Sequence, residues 1–250
     1  MSALERAWRF DRDADERAAG RVERFECGAA IYSDDLPRVY DANVIRVDRG
    51  LDATTADDLE RLAESLQGDL GHRKLMLPGG DAADALAPEL GRRGWSTTRT
   101  VVMRYRGPRE RDPALAAAAE QVEPRAVYGA RMAALGGRTS DVQRQVADYT
   151  QRLGEAARGR IFAAFVGGEV AAFCALLEGD GLGEIDEVTT LARFRGRGLG
   201  TAVVEAALQA SLAAGHDLTF LVAADDDWPK GWYARLGFRP IGHRHEIHRI

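Results

Sequence analysis

Apolar positions in the second half of the chain fall into short runs with strand spacing, broken by one long stripe with helical spacing. Residues 160–166 read as a strand, Gly167 and Gly168 as a turn and residues 169–177 as a second strand, which together predict a hairpin. After a glycine-bounded turn at 179–183, residues 184–191 predict another strand. The stretch that follows places Leu199, Val203, Val204, Ala207, Leu208 and Leu212 on one face of a helix, and Gly215 stops it. Residues 216–222 are β-rich, Asp225, Asp226 and Asp227 form an acidic loop, residues 228–236 suit a short helix, and a final strand or strand pair begins at Phe238.

The first half repeats the end of this order. Residues 43–48 predict a strand, and Thr54 or Thr55, each with an aspartate three residues on, caps a helix carrying Leu59, Leu62, Leu66 and Leu70 that ends at Gly71. A strand at 72–77, a short helix at 81–91 interrupted at Pro88 and a strand at 95–105 follow. Gly71-His72 answers Gly215-His216, and Leu90-Gly91 with Gly94-Trp95 answers Leu236-Gly237-Phe238. The glycine-rich stretch before the long helix of the second half has no counterpart, because Arg49-Gly50-Leu51-Asp52-Ala53-Thr54-Thr55 stands there instead. Two prolines, a charge run and an alanine tract make 107–119 a linker, giving units of 1–106 and 120–250.

The composition is that of a soluble globular protein: 250 residues, 34 Lys+Arg against 39 Asp+Glu, a net charge of −5 and a hydrophobic fraction of 45%. Such a chain buries a real core, and neither disorder nor a fibrous repeat fits. The longest apolar run, 170–177, falls far short of the roughly 20 residues that span a bilayer, and the charged residues from Glu5 to Arg17 do not make a signal peptide. A cytoplasmic protein is expected, without a membrane partner. The slight acidity disfavours nucleic acid. Cys27 and Cys174 are isolated and read as buried thiols rather than a disulfide or a zinc ribbon.

Chemistry concentrates at Arg195-Gly196-Arg197-Gly198-Leu199-Gly200, between a strand and a helix, where unpaired N–H groups and the helix dipole converge on an anion. Thr201 stands where a dinucleotide-binding G-x-G-x-x-G needs its last glycine, and there is no G-K-[ST] of a P-loop. His243, His245 and His248 with Glu246 look metal-like, but only His243 and His245 share a strand face and no cysteine joins them, so a surface strand is favoured and no metal is expected. Trp8, Trp95, Trp228 and Trp232 lack a regular spacing and read as core and rim.

The R-x-x-G-x-G pattern of residues 195–200 resembles the pyrophosphate-binding motif of the GCN5-related N-acetyltransferases, which hold the diphosphate of coenzyme A. Trp232-Tyr233-Ala234-Arg235-Leu236-Gly237-Phe238 is similar to that family's closing L-Y-x-x-L-G-F. The likeness covers residues 120–250 well and the first 110 only in element order, similar to the degenerate amino-terminal half of tandem members. It implies an α/β fold with a mixed, mostly antiparallel central sheet flanked by helices, in two tandem halves.

The resemblance also implies a reaction: a primary amine of a small-molecule acceptor attacks the thioester of acetyl-CoA directly in a ternary complex, within a V-shaped opening between two splayed strands. Acetyl-CoA is the co-substrate, held by Thr190, Leu191, Arg195, Gly196, Arg197, Gly198, Leu199, Gly200, Thr201 and Asp226. Tyr233 falls at the general acid for the departing thiolate, and a backbone N–H near Leu191 or Ala192, where the strand is expected to splay, meets the oxyanion. A strand carboxylate takes the amine proton. Glu184 and Asp186 share one face and Glu187 the other unless a bulge resets the parity, and family spacing admits Glu184 or Glu187. Those carboxylates and the aspartate loop suggest a cationic acceptor, with Arg38, Tyr40 and Asn43 as contributors from the other half. The alternatives are a non-catalytic acyl-CoA-binding or protein-interaction module and a protein or peptide N-acetyltransferase. A monomer or homodimer is compatible with the sequence.

Overall fold

A computed structural model describes residues 1–107 and 116–250, so most of the linker expected at 107–119 lies outside the described residues. In chain order the elements are α1 (Ala3–Ala18), β1 (Arg21–Phe25), β2 (Gly28–Tyr32), β3 (Val44–Val47), α2 (Ala56–Gln67), β4 (Arg73–Pro78), α3 (Asp81–Arg92) and β5 (Ser96–Tyr105). They continue with β6 (Glu120–Val122), α4 (Tyr128–Ala134), α5 (Ser140–Ala156), β7 (Arg160–Val166), β8 (Glu169–Gly179), β9 (Leu182–Thr190), α6 (Leu199–Ala213), β10 (Leu218–Ala224), α7 (Trp228–Arg235) and β11 (Phe238–Arg249). The chain divides into two compact units, one of residues 1–103, 222–235 and 240–250, the other of residues 104–221 and 236–239.

In the first unit the strands run in the order β1-β2-β3-β4-β11. β3 and β4 are parallel, and the other neighbours are antiparallel. α1 starts with a capping box in which Ser2 and Glu5 exchange hydrogen bonds. Ile45, Leu75, Leu77, Leu59, Leu90 and Ile247 are buried together beneath α2 and α3. This division departs from the expected cut at the linker, and the reason is a backbone ladder: β11 pairs with β4 from Arg244↔Pro78 to Arg249↔Arg73, so the carboxy-terminal strand joins the first unit's sheet between β4 and β5. The terminal stretch is therefore one long strand.

Other local expectations shift for identifiable reasons. Thr55, not Thr54, caps α2, with Asp58 closing the capping box. α2 ends at Gln67 rather than Gly71, because the Gln67 side chain leaves the helix to donate to the Asn43 carbonyl (2.8 Å) and accept from the Lys74 N–H (2.8 Å), fixing the start of β4. α3 runs through Pro88 without interruption, its buried face of Ala83, Leu86, Ala87 and Leu90 outweighing the one hydrogen bond a proline removes.

The second unit orders its strands β10-β9-β8-β7-β6, with β10 parallel to β9 and the rest antiparallel. The predicted hairpin is β7–β8, turning at Gly167 and Gly168, both at positive φ. α6 is not the one-sided amphipathic helix its apolar stripe suggests: Glu205, Ala206 and Ser211 are buried beside Val203, Val204 and Leu208. Cys174 is fully buried, donates to the Val203 carbonyl (3.2 Å), and has its thiol pKa pushed up by burial. Among the described residues no helix is long and apolar enough to cross a membrane.

Candidate active site

β9 carries the carboxylates and is the strand on which regular pairing breaks. Its register with β8 runs from Gly179↔Leu182 to Ala175↔Asp186 and resumes at Phe173↔Thr189, so Glu187 and Val188 together face the single residue Cys174. This is a β-bulge, and Glu187 takes a left-handed backbone at φ 54°. Pairing with β10 covers Leu218↔Leu182 to Phe220↔Glu184, whereas β9 continues to Thr190.

The bulge turns Glu187 toward α4, where the Arg131 guanidinium grips both of its oxygens, Nη2 at 2.7 Å from Oε2 and Nε against Oε1. The side chains are 4% and 14% exposed. Burial raises the Glu187 pKa, and the attraction of Arg131 opposes the rise without cancelling it. Arg131 Nη1 is buried without a hydrogen-bond partner among the described residues. Arg131, Asp186, Glu187, Thr150 and Gln151 border a cavity of about 40 Å³, large enough for water. Glu184 is buried in the regular part of the strand, opposite Leu177 and Phe220.

The glycine loop follows β9. Leu191 is buried and its N–H donates to the Ala171 carbonyl (3.0 Å), so of the two expected oxyanion donors, Leu191 and Ala192, the first is already engaged. Arg195 Nε donates to the Thr190 carbonyl (3.3 Å), tying the loop to the strand end. Phe194 lies buried beneath two guanidinium groups, those of Arg193 at 4.9 Å and Arg197 at 5.6 Å from its ring centroid. Gly196 (φ 76°) and Gly198 (φ 78°) take left-handed conformations, and open space surrounds the position of a Cβ at Gly196. Gly198 is the N-cap of α6, without a side-chain cap, and the first turn of Leu199, Gly200 and Thr201 holds no acidic residue. An exposed helix start with free N–H groups, no Cβ in the way and arginines on either side fits a diphosphate.

The remaining expected residues lie in the first unit. Tyr233 is buried on α7, its ring tilted against Trp232 at 4.7 Å between centroids. Asp226 is exposed in the loop before α7. The acidic mouth is less available than the sequence suggests: Asp225 pairs with Lys230 (2.6 Å) and Arg99 (3.3 Å), and Asp227 accepts the Trp228 N–H (2.7 Å). Asn43, expected to face the acceptor, is instead buried and bonded to backbone, accepting from Ser33 N–H and donating to the Leu36 and Val39 carbonyls. Trp95 is core and Trp228 is 71% exposed, as a mixture of core and rim requires. Sequence reasoning missed Arg131, because α4 carries no periodic signal and its partner lies 56 residues on.

Residues 130–238 match the family model of the Acetyltransferase (GNAT) family. This segment is similar to the GNAT acetyltransferases. The GNAT segment contains the bulged strand, the glycine loop and the Tyr233 helix, and members of this family generally use acetyl-CoA as co-substrate. The fold extends over nearly the whole chain in solved structures. A functionally unknown conserved protein from Staphylococcus epidermidis is similar at 15% identity with a TM-score of 0.71, covering 92% of this chain and 94% of that one. A GCN5-related N-acetyltransferase from Kribbella flavida is similar at 19% identity and TM-score 0.63, covering 95% and 94%. A tandem GNAT protein from the clavulanic acid biosynthesis pathway is similar at 16% identity and TM-score 0.56, covering 96% and 87%. The mixed α/β GNAT-like fold expected from the sequence is borne out by these likenesses. No curated protein matches the chain.

Proposed function

We propose that the protein transfers an acetyl group from acetyl-CoA to the primary amine of a small-molecule acceptor. The observation that carries this reading is the anion cradle at the start of α6: Gly196 and Gly198 at positive φ, an uncapped first turn and flanking Arg195 and Arg197, all inside the matched GNAT segment. The cradle holds the diphosphate of the co-substrate and so positions its thioester.

In this reading the neutral amine attacks the thioester carbonyl carbon, the C–S bond breaks, and no bond to the protein forms. The proton lost by the amine passes through water to a β9 carboxylate. Glu187 is the better candidate, since burial raises its pKa toward that of a useful base and its cavity admits water, while Glu184 sits in the regular, buried part of the strand. Tyr233 donates the phenolic proton to the departing thiolate, the role the family resemblance implies.

Calorimetric titration with acetyl-CoA and free CoA tests the proposal, followed by the same titration on Gly198→Asp, which places a Cβ and a negative charge at the cradle. Micromolar binding to the wild type that the substitution abolishes is the expected result. Absence of binding to the wild type removes the reading. An amine panel on the binding-competent protein then identifies the acceptor, with peptide amino termini included, because peptides that outcompete small amines would replace the small-molecule acceptor by a protein one.

A further inference from the structure

We infer that Asp84, His243 and His245 form a binding site for one divalent transition-metal ion of the zinc class. The two histidines stand at alternate positions of β11 and share a face, and the fold brings a third donor that lies 161 residues away from His245 in sequence. His243 Nε2 is 2.7 Å and His245 Nε2 2.6 Å from the same oxygen, Asp84 Oδ1, with the two rings in a T-shaped arrangement at 5.4 Å. All three donor atoms lie within 4.8 Å of one another. Zinc takes imidazole nitrogen and carboxylate oxygen at about 2.0–2.2 Å, which puts tetrahedral ligands about 3.3 Å apart. The two oxygen–nitrogen sides of the triangle, at 2.7 and 2.6 Å, therefore need to open by well under an ångström.

The surroundings suit that adjustment. His245 is 8% exposed and His243 18%, both fixed on a strand whose backbone lies so close to Gly79 that a Cβ there would meet the His243 carbonyl at 2.1 Å. Asp84, in the first turn of α3, is 40% exposed and free to shift. Two imidazoles and one carboxylate are the donors of an open zinc site, whereas calcium and magnesium call for oxygen ligands throughout. The exposure of Asp84 leaves the cluster open to solvent on that side, and His243 also lines a cavity of about 700 Å³ with Trp8, Arg9, Pro78 and Gly79. Arg99 Nη2 lies 3.4 Å from His243 Nδ1, and metal at Nε2 requires a proton on Nδ1, so Arg99 turns away on binding. It is half exposed and keeps Asp225 as partner. None of these residues belongs to the glycine loop or the bulged strand, so the site stands apart from the acyl-transfer reading.

The test is titration of the chelator-treated, untagged full chain with Zn²⁺ by calorimetry, and with Co²⁺ by visible absorption. One equivalent bound at micromolar affinity or tighter is expected, with Asp84→Asn and His245→Asn each weakening it at least about tenfold and His248→Asn, further along the strand, leaving it unchanged. Circular dichroism melts of the metal-free variants report whether they are folded; Asp84→Asn, at a half-exposed position, keeps the test valid where His245→Asn fails to fold. Weaker than about 100 μM binding by the wild type, or equal binding by Asp84→Asn, overturns the inference.

Discussion

The pair of Arg131 and Glu187 allows a prediction with an internal asymmetry. Both side chains are withdrawn from water, 4% and 14% exposed, and joined by two hydrogen bonds. Removing one member of such a pair strands the other charge, at about 3–5 kcal/mol. The two members differ, however, in their means of escape. A guanidinium cannot shed its proton, so Glu187→Gln leaves a buried cation and costs the full amount, about 4 kcal/mol. A carboxylate can neutralise itself, and Glu187 already has a pKa raised by burial, so Arg131→Met costs less, about 2 kcal/mol at pH 7. The sign of its pH dependence follows: a carboxyl whose folded pKa lies above its unfolded value favours folding below the unfolded value and loses that contribution as pH rises through the folded one. Without Arg131 the rise is larger, so the stability of Arg131→Met relative to wild type should fall between pH 4.5 and 7. Urea denaturation of the two single variants and the double variant completes the cycle, with a coupling of at least about 2 kcal/mol expected. Additivity within about 0.5 kcal/mol, or a Glu187→Gln cost below that of Arg131→Met, refutes the reasoning.

Further outcomes follow from other parts of the fold. Tyr233→Phe should lower kcat about a hundredfold while leaving CoA affinity intact, measured by steady-state kinetics alongside calorimetry; unchanged turnover removes Tyr233 as the acid. Asn43→Ala should cost about 2 kcal/mol in urea denaturation, since the buried Ser33 N–H loses its Asn43 partner while the Leu36 and Val39 carbonyls keep the N–H groups of Val39 and Ala42, and should leave the KM of every accepted amine unaltered; an altered KM restores it to the acceptor site. Gly28→Ala should cost about 3 kcal/mol, because its Cβ would lie 1.9 Å from the Arg46 carbonyl across the β2–β3 ladder; an unchanged melting temperature contradicts that packing. Asp57, held low by Arg93, Asp58, held low by Thr55, and Asp225, held low by Lys230, all have folded pKa values below their ordinary 3.8, so their contribution is present above that pH and lost below it. Melting temperature should accordingly fall from pH 5 to pH 3, and a rise would contradict the assignment.

What the sequence discloses and what it conceals divide by the range of the forces involved. The β7–β8 hairpin, the β9 strand, α6 and its glycine start are set by neighbours within a few residues, by periodicity, by Gly167 and Gly168 at positive φ, and by Gly198 at a helix cap, so they are legible without coordinates. In the first 42 residues the local signal is confined to the Ser2–Glu5 capping box of α1, while β1, mostly exposed, and β2 are set by strand pairing. Register is the intermediate case. Alternation along β9 offers two answers for which carboxylates share a face, and the choice depends on where two residues squeeze opposite Cys174, a fact of strand pairing rather than of local propensity.

The concealed part is also the part that selects chemistry. The cradle proposed for the diphosphate is built from backbone, so any sequence with glycines at those positions presents it. The carboxylate that would serve the amine is chosen by a bulge and a guanidinium 56 residues distant, and the histidine pair on β11 gains its third donor from a helix 161 residues earlier. A backbone motif of this kind constrains the co-substrate, which family members share, while long-range side-chain pairings differ from chain to chain and shape the acceptor side. It follows that acceptor identity should respond to substitution at Arg131 and its cavity neighbours Thr150 and Gln151 while CoA affinity does not, and a library at those three positions that altered CoA binding as strongly as amine preference would break that separation.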